Sequence, residues 1–174
     1  MAKRKEKPLL IVDGYNIIGA WPQLRELKDA GRMDEARDLL ISKLADYQSY
    51  SGMKVIVVFD AYTVPGVGRQ QKQYALEIYF TKEKETADEK IEKLVQENWK
   101  KNRQIYVATS DYTSQRVIFG QGALRKSARE LLLDVESADQ EIQQQVKKTQ
   151  ESAFSTRIEL KEEIAKIFEK WRRE

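Results

Sequence analysis

Apolar residues are spaced along this chain in two rhythms. Four short stretches are apolar throughout or at every second position: LLIV at 9–12, VIVVF at 55–59, YALEIYF at 74–80 and IYVAT at 105–109. Continuous β-branched runs of this length predict strands covered on both faces, and the alternation in the third predicts one more exposed face. Elsewhere the apolar positions recur every three or four residues: Ala36, Leu40, Leu44 and Tyr47; Ala87, Ile91, Leu94 and Val95; Leu131, Val135, Ala138, Ile142 and Val146; Leu160, Ile164, Ile167, Phe168 and Trp171. These are helical stripes. Thr86-x-x-Glu89 and Ser127-x-x-Glu130 are capping boxes that open two of the helices, and Gly52 closes another. GYNIIGAWP reads as a turn with a short helical stretch, 64–72 (VPGVGRQQK) as a flexible loop, and 114–119 as a short helix. Gly120-Gln121-Gly122 reads as a turn, 123–126 as a brief strand, and 149–156 as a loop before the last helix.

Strands that alternate with helices predict an α/β sandwich with a mostly parallel sheet. The whole chain, 1–174, reads as one domain, with a core at about 8–135 and a helical extension at about 136–174. Trp21 and Trp171 read as packing residues.

Acids stand where the strands run out. Asp13 follows LLIV, Asp60 follows VIVVF, Asp111 follows the 105–109 strand, and Asp88 lies in the first turn of the helix after the third strand. Right-handed crossovers bring these strand ends to one edge, the edge at which open α/β sheets bind ligands. Singly, each acid has a plainer explanation. Asp13 and Asn16 suit an Asx turn or an N-cap, Asp60 a turn, Asp88 the helix dipole, and Asp111 or Ser110 a cap. Capping does not require four acids to converge, and crowded carboxylates raise one another's pKa unless a cation neutralises them. An all-oxygen pocket suits Mg²⁺ or Mn²⁺. Such an ion can activate water and neutralise charge on a phosphodiester.

Composition narrows the chemistry further. The 174 residues include no His and no Cys, which removes Ser-His-Asp and Cys-His catalysis, thiolate nucleophiles and the usual zinc sites. No GxxxxGK[ST] loop is present. The net charge of +3 says little, but basic residues cluster at 3–7, 125–129 and 170–173. Arg125, Lys126 and Arg129 follow the Asp111 segment and could hold a nucleic-acid backbone, or form a solvated helix start. Tyr15, Tyr62 and Tyr112 each flank a strand-end acid, placed either to stack on unpaired bases or to pack at the edge. MAKRKEK leads straight into a strand without an apolar signal region, and no apolar run is long enough to cross a membrane. A soluble, cytoplasmic protein is expected.

LLIVDGYNIIGAWP, VIVVFDAY, FTKEKETADEKIEKL, VATSDYTSQ and FGQGALRKSARELL, in that order, resemble the YacP-type branch of the NYN domains, relatives of PIN-domain nucleases. The resemblance runs from about Leu9 to Leu133, and arguably to the terminal FEKWRR. It implies a three-layer PIN-like α/β/α fold with a C-terminal helical extension, and Mg²⁺- or Mn²⁺-dependent cleavage of single-stranded RNA. By position, Asp13, Asp88 and Asp111 would be the catalytic, metal-holding acids, with Asp60 a further acid and Asn16 in support. This branch includes a bacterial endonuclease that cuts mRNA on translating ribosomes. Arg125, Lys126 and Arg129, with Tyr112, would then contact RNA, as would Asn16, whose side chain offers an oxygen and an amide donor to a phosphate or a metal-bound water. Two other functions compete: a non-catalytic RNA- or ribosome-binding protein with a vestigial acidic site, and a small-molecule phosphohydrolase. Metal-dependent scission of RNA separates the first from an endoribonuclease, and phosphatase assays on nucleotides separate the second.

Overall fold

The computed structural model describes residues 6–60, 69–73, 75–82, 84–99, 102–110 and 122–173. Contact density divides the chain into two compact units, 1–138 and 139–174.

Among the described residues, the first unit is built on a six-stranded sheet. Its strands are β1 (Leu9–Asp13), β2 (Lys54–Phe59), β3 (Arg69–Gln73), β4 (Leu76–Phe80), β5 (Ile105–Ala108) and β6 (Leu124–Lys126), in the order β3-β4-β2-β1-β5-β6. Five of them run parallel; β3 at the edge pairs antiparallel with β4. Strand alternation splits the core into two layers. Leu10, Val12, Val55, Val57, Phe59, Leu76 and Ile78 face α1 (Gly14–Ala20), α2 (Pro22–Asp29), α3 (Met33–Ser51) and the start of α5 (Ala128–Arg173). Leu9, Ile11, Ile56, Val58, Ile105 and Val107 face α4 (Ala87–Trp99), which buries Ala87, Ile91, Leu94 and Val95 against them. This is the expected three-layer α/β/α sandwich with a mostly parallel sheet.

Local chemistry starts and stops the helices. The backbone N–H of Glu89 donates to Thr86 Oγ1 at 3.1 Å, and that of Glu130 to Ser127 Oγ at 3.0 Å, so both capping boxes hold. Gly52 ends α3 in the left-handed region at φ 71°, where a side chain would be strained. Pro22 opens α2 as a residue with no N–H to satisfy. The buried Trp21 donates its indole N–H to Ala128 O at 2.8 Å, tying the α1–α2 junction to α5.

At the opposite edge of the sheet, Arg103 fastens the approach to β1. Its Nε and one terminal nitrogen donate to Lys7 O at 2.9 and 2.6 Å. The other terminal nitrogen donates to Asn98 Oδ1 at 3.3 Å and pairs with Glu6 at 3.4 Å.

Three expectations are corrected. The 64–72 loop is in part the edge strand β3: residues 69–73 pair with β4 from Arg69↔Phe80 to Gln73↔Leu76, while 64–68 lie outside the described residues. The 149–156 loop is helix. No Gly or Pro interrupts 128–173, and Thr149 and Thr156 turn their hydroxyls onto the carbonyls of Gln145 and Ser152, each at 2.9 Å. Trp171, expected to pack, is 66% exposed with Phe168 as its ring neighbour at 5.8 Å. The 114–119 helix lies outside the described residues.

The second unit is helical from 139 to 173 and carries Phe154, Ile158, Leu160, Ile164, Ile167 and Phe168 exposed along it.

Candidate active site

Asp13 closes β1 and Asp60 follows directly on β2. Asp13 stands opposite Val58 in the parallel ladder. It shares the parity of Leu9 and Ile11, and Asp60 that of Ile56 and Val58, so both acids belong to the α4 face. Asp60 is two residues beyond Asp13's partner, and ideal strand geometry puts their Cα atoms roughly 8 Å apart. Asp13 occupies the N-cap position of α1, yet its side chain makes no capping hydrogen bond. Capping therefore does not account for a carboxylate at this position.

Gly14 makes the junction possible. A Cβ there would lie 2.3 Å from Phe59 Cε1 and 2.5 Å from Cδ1. Phe59 is fully buried; it stacks on Phe80 and meets Tyr15 at a tilt, with ring centroids 5.5 and 5.1 Å away. The residue after one acid thus packs on the residue before the other.

Buried hydroxyls line the same edge. Thr81, 1% exposed, donates from Oγ1 to Asp60 Oδ1 at 3.5 Å, and its N–H donates to Phe59 O at 3.0 Å. Thr109, fully buried, follows the Val12↔Ala108 pair and so flanks Asp13 on its other side. Asn16 Oδ1 accepts both the backbone N–H and the hydroxyl of Ser110, each at 2.7 Å. Sequence reading did not single out Thr81 or Thr109, and considered Ser110 only as a helix cap. A threonine or serine one step past an apolar strand was the signal available.

Asp88 lies exposed in the first turn of α4, one residue after the buried Ala87. Thr86 caps that turn, and Lys93 donates to Glu85 at 2.7 Å, which keeps the Glu85 carboxyl below the usual range and ties the preceding segment to the helix. Asp111 and Tyr112 lie outside the described residues, as does Tyr62.

The basic residues divide between the two faces. Arg125 pairs with Val107 in the ladder and takes the α4 face, the face of Asp13 and Asp60. Lys126 takes the other. It pairs with Asp134 on α5 and lies 5.7 Å over the ring of Tyr106. Burial alone would lower the Lys126 pKa, but the hydrogen bond with Asp134 and the surrounding tyrosine and acidic charge outweigh it, and the net shift is upward. Arg129 is exposed near the start of α5.

Asp13, Asp60 and Asp88 are carboxylates of the kind a hard divalent cation takes. Among the described residues, no group of three or more His, Cys, Asp or Glu is placed to hold a metal ion. The donors are of the right chemistry, and the described residues alone do not complete a three-ligand site.

A parallel α/β/α sheet with carboxylates at the C-terminal edge of its central strands is the architecture of PIN-like nucleases. The family model of the YacP-like NYN domain matches residues 10–173. YacP of Bacillus subtilis (strain 168) is 58% identical over 165 residues, covering 95% of this chain and 96% of that protein. The crystal structure of Rae1 (YacP) from Bacillus subtilis superposes with a TM-score of 0.75 at 57% identity, covering 95% of this chain and 94% of the other. A tryptophan-to-leucine mutant of the same protein gives 0.71 at 58% identity, over 80% and 81%. The chain belongs to the YacP-like NYN domain family, within the PIN-like nuclease superfamily, and the kinship supports a nuclease-like function related to RNA. Among the described residues no helix is long and apolar enough to cross a membrane.

Proposed function

We propose that the chain is a divalent-metal-dependent endoribonuclease that cuts single-stranded mRNA in association with translating ribosomes. One observation carries the reading: in a YacP-like NYN chain, Asp13 and Asp60 end adjacent parallel strands on one face, and Asp13 is not used as a helix cap. Asp13, Asp88 and Asp111 would hold Mg²⁺ or Mn²⁺, and Asp60 adds negative charge beside them. A bound ion supplies Lewis-acid stabilisation of charge on the phosphate and leaving oxygen. Arg125, on the same face, offers a cation to the RNA backbone. Ribosome association rests on the likeness to YacP-type proteins alone, as does the choice of mRNA.

The test compares wild type, Asp13→Asn and Asp88→Asn on single-stranded RNA with Mg²⁺, Mn²⁺ or EDTA, and maps mRNA ends in a reconstituted translation system. Cleavage should need the metal and fall by about a hundredfold or more in each variant, the scale of losing one electrostatic partner of the transition state. Undiminished cutting by both variants would defeat the site. A second reading is a non-catalytic RNA- or ribosome-binding protein with a vestigial acidic site. It predicts RNA binding with no metal-dependent scission in either assay.

A further inference from the structure

Strand order in the sheet reverses between β1 and β5: β2 lies on one side of β1 and β5 on the other. The crevice at such a reversal is where open parallel sheets bind ligands. Asn16, on the β1 side, and Ser110, on the β5 side, bond across it although 94 residues separate them in sequence. A backbone N–H can only donate, so the Asn16 atom that meets Ser110 N is the oxygen. The Ser110 hydroxyl adds a second donor to the same Oδ1, and both contacts are 2.7 Å. An amide oxygen has two lone pairs, and both are now used. Nδ2 sits on the other branch of the planar amide, and among the described residues it meets no acceptor.

We infer that Ser110 is a positioning residue that locks Asn16 by its carbonyl, so that Asn16 meets an RNA phosphate as an N–H donor and does not ligate a cation through oxygen. The inference rests on the endoribonuclease reading for its ligand. An unheld asparagine amide can turn over and present either oxygen or nitrogen. Beside carboxylates and a cation, the wrong choice would face a phosphate with another acceptor. Ser110 removes that choice before RNA arrives, which is preorganisation. The arrangement also distributes the chemistry: acidic oxygens for the cation, a neutral N–H for the anion.

The test uses the full-length ¹⁵N-labelled protein and a single-stranded 2′-O-methyl RNA oligonucleotide in EDTA, which cannot be cut. The Asn16 side-chain NH₂ resonances should shift on adding oligonucleotide in EDTA, with no cation present. Asn16→Asp, which replaces the donor by an acceptor, should weaken oligonucleotide binding by roughly tenfold or more, the scale of a hydrogen bond to a charged group. Ser110→Ala keeps the backbone donor and should lose several-fold, and Ser110→Thr should restore it; melting temperatures report that each variant is folded. Resonances that ignore the oligonucleotide, or wild-type affinity in Asn16→Asp, would each overturn the assignment. Responsive Asn16 signals in a protein that never cuts RNA would sink the nuclease reading and leave this one standing. Metal-dependent cutting with silent Asn16 signals would do the reverse.

Discussion

Replacing Gly14 by alanine puts a methyl group where the Phe59 ring already stands. The added carbon would lie 2.3, 2.5 and 3.0 Å from three ring atoms, against a normal carbon–carbon contact of about 3.5–4.0 Å. The ring has little room to retreat, being fully buried between Tyr15 and Phe80. Overpacking of this kind costs about 1–3 kcal/mol. Alanine at a helical position gives back roughly 0.5–1 kcal/mol, so the clash wins, by about 2 kcal/mol at the upper end. For a chain of this size each kcal/mol lowers Tm by about 2–4 °C, and a fall of several degrees is expected by calorimetry. Phe59→Leu in the same chain should relieve the overlap, and a double-mutant cycle should show coupling of about 1 kcal/mol. Because Gly14 adjoins Asp13 and Phe59 adjoins Asp60, a shift of about 1 Å at the junction should also reduce RNA cleavage by up to a hundredfold. An unchanged Tm for Gly14→Ala, with additive effects in the cycle, would refute the packing argument.

Other contacts give their own tests. Thr86→Ala and Ser127→Ala each remove an N-cap acceptor and should cost about 1 kcal/mol in urea denaturation, with Thr86→Ala also loosening the turn that carries Asp88. Arg103→Lys should destabilise by about 1–2 kcal/mol, because an ammonium cannot reproduce the guanidinium's fork onto the solvent-facing Lys7 O and the half-buried bond to Asn98. Asp134→Asn should cost only about 0.5–1 kcal/mol, since the Lys126 pair is partly solvated. Lys126 has a raised folded pKa, so the pair's contribution is complete below the unfolded value of 10.5 and fades as pH rises through the folded one. The gap in stability between wild type and Asp134→Asn should therefore be flat from pH 7 to about 9 and close in strong alkali.

Much of this was legible in the sequence, for definable reasons. The central strands read through because burial on both faces leaves an uninterrupted apolar run, and the capping boxes because their geometry is local. β3 did not read through. RQQKQ carries no apolar periodicity in the sequence that would mark it as a strand. The continuity of α5 was hidden by a polar stretch, and the absence of Gly and Pro from 128–173 was the better guide. The fate of Lys126 followed from parity: one residue from Arg125, it belongs to the other face of the sheet, where Asp134 receives it.

The acids at the strand ends were visible, but what holds them was not, because those contacts join segments far apart in the chain. Gly14 meets Phe59, Thr81 meets Asp60, and Asn16 meets Ser110. None of these three contacts is an ion pair. Like charges brought to one edge oppose folding, and these contacts favour their placement in their own right: a buried ring, a buried hydroxyl, an amide with both lone pairs used. It follows that removing the acids should not unfold the chain. Asp13→Asn and Asp60→Asn should leave Tm unchanged or raise it, whereas Gly14→Ala, Thr81→Val and Ser110→Ala, which alter no formal charge, should lower it. A clear destabilisation by Asp13→Asn would mean that the carboxylate is itself a structural strut, and the case for chemistry at this edge would lose its first support.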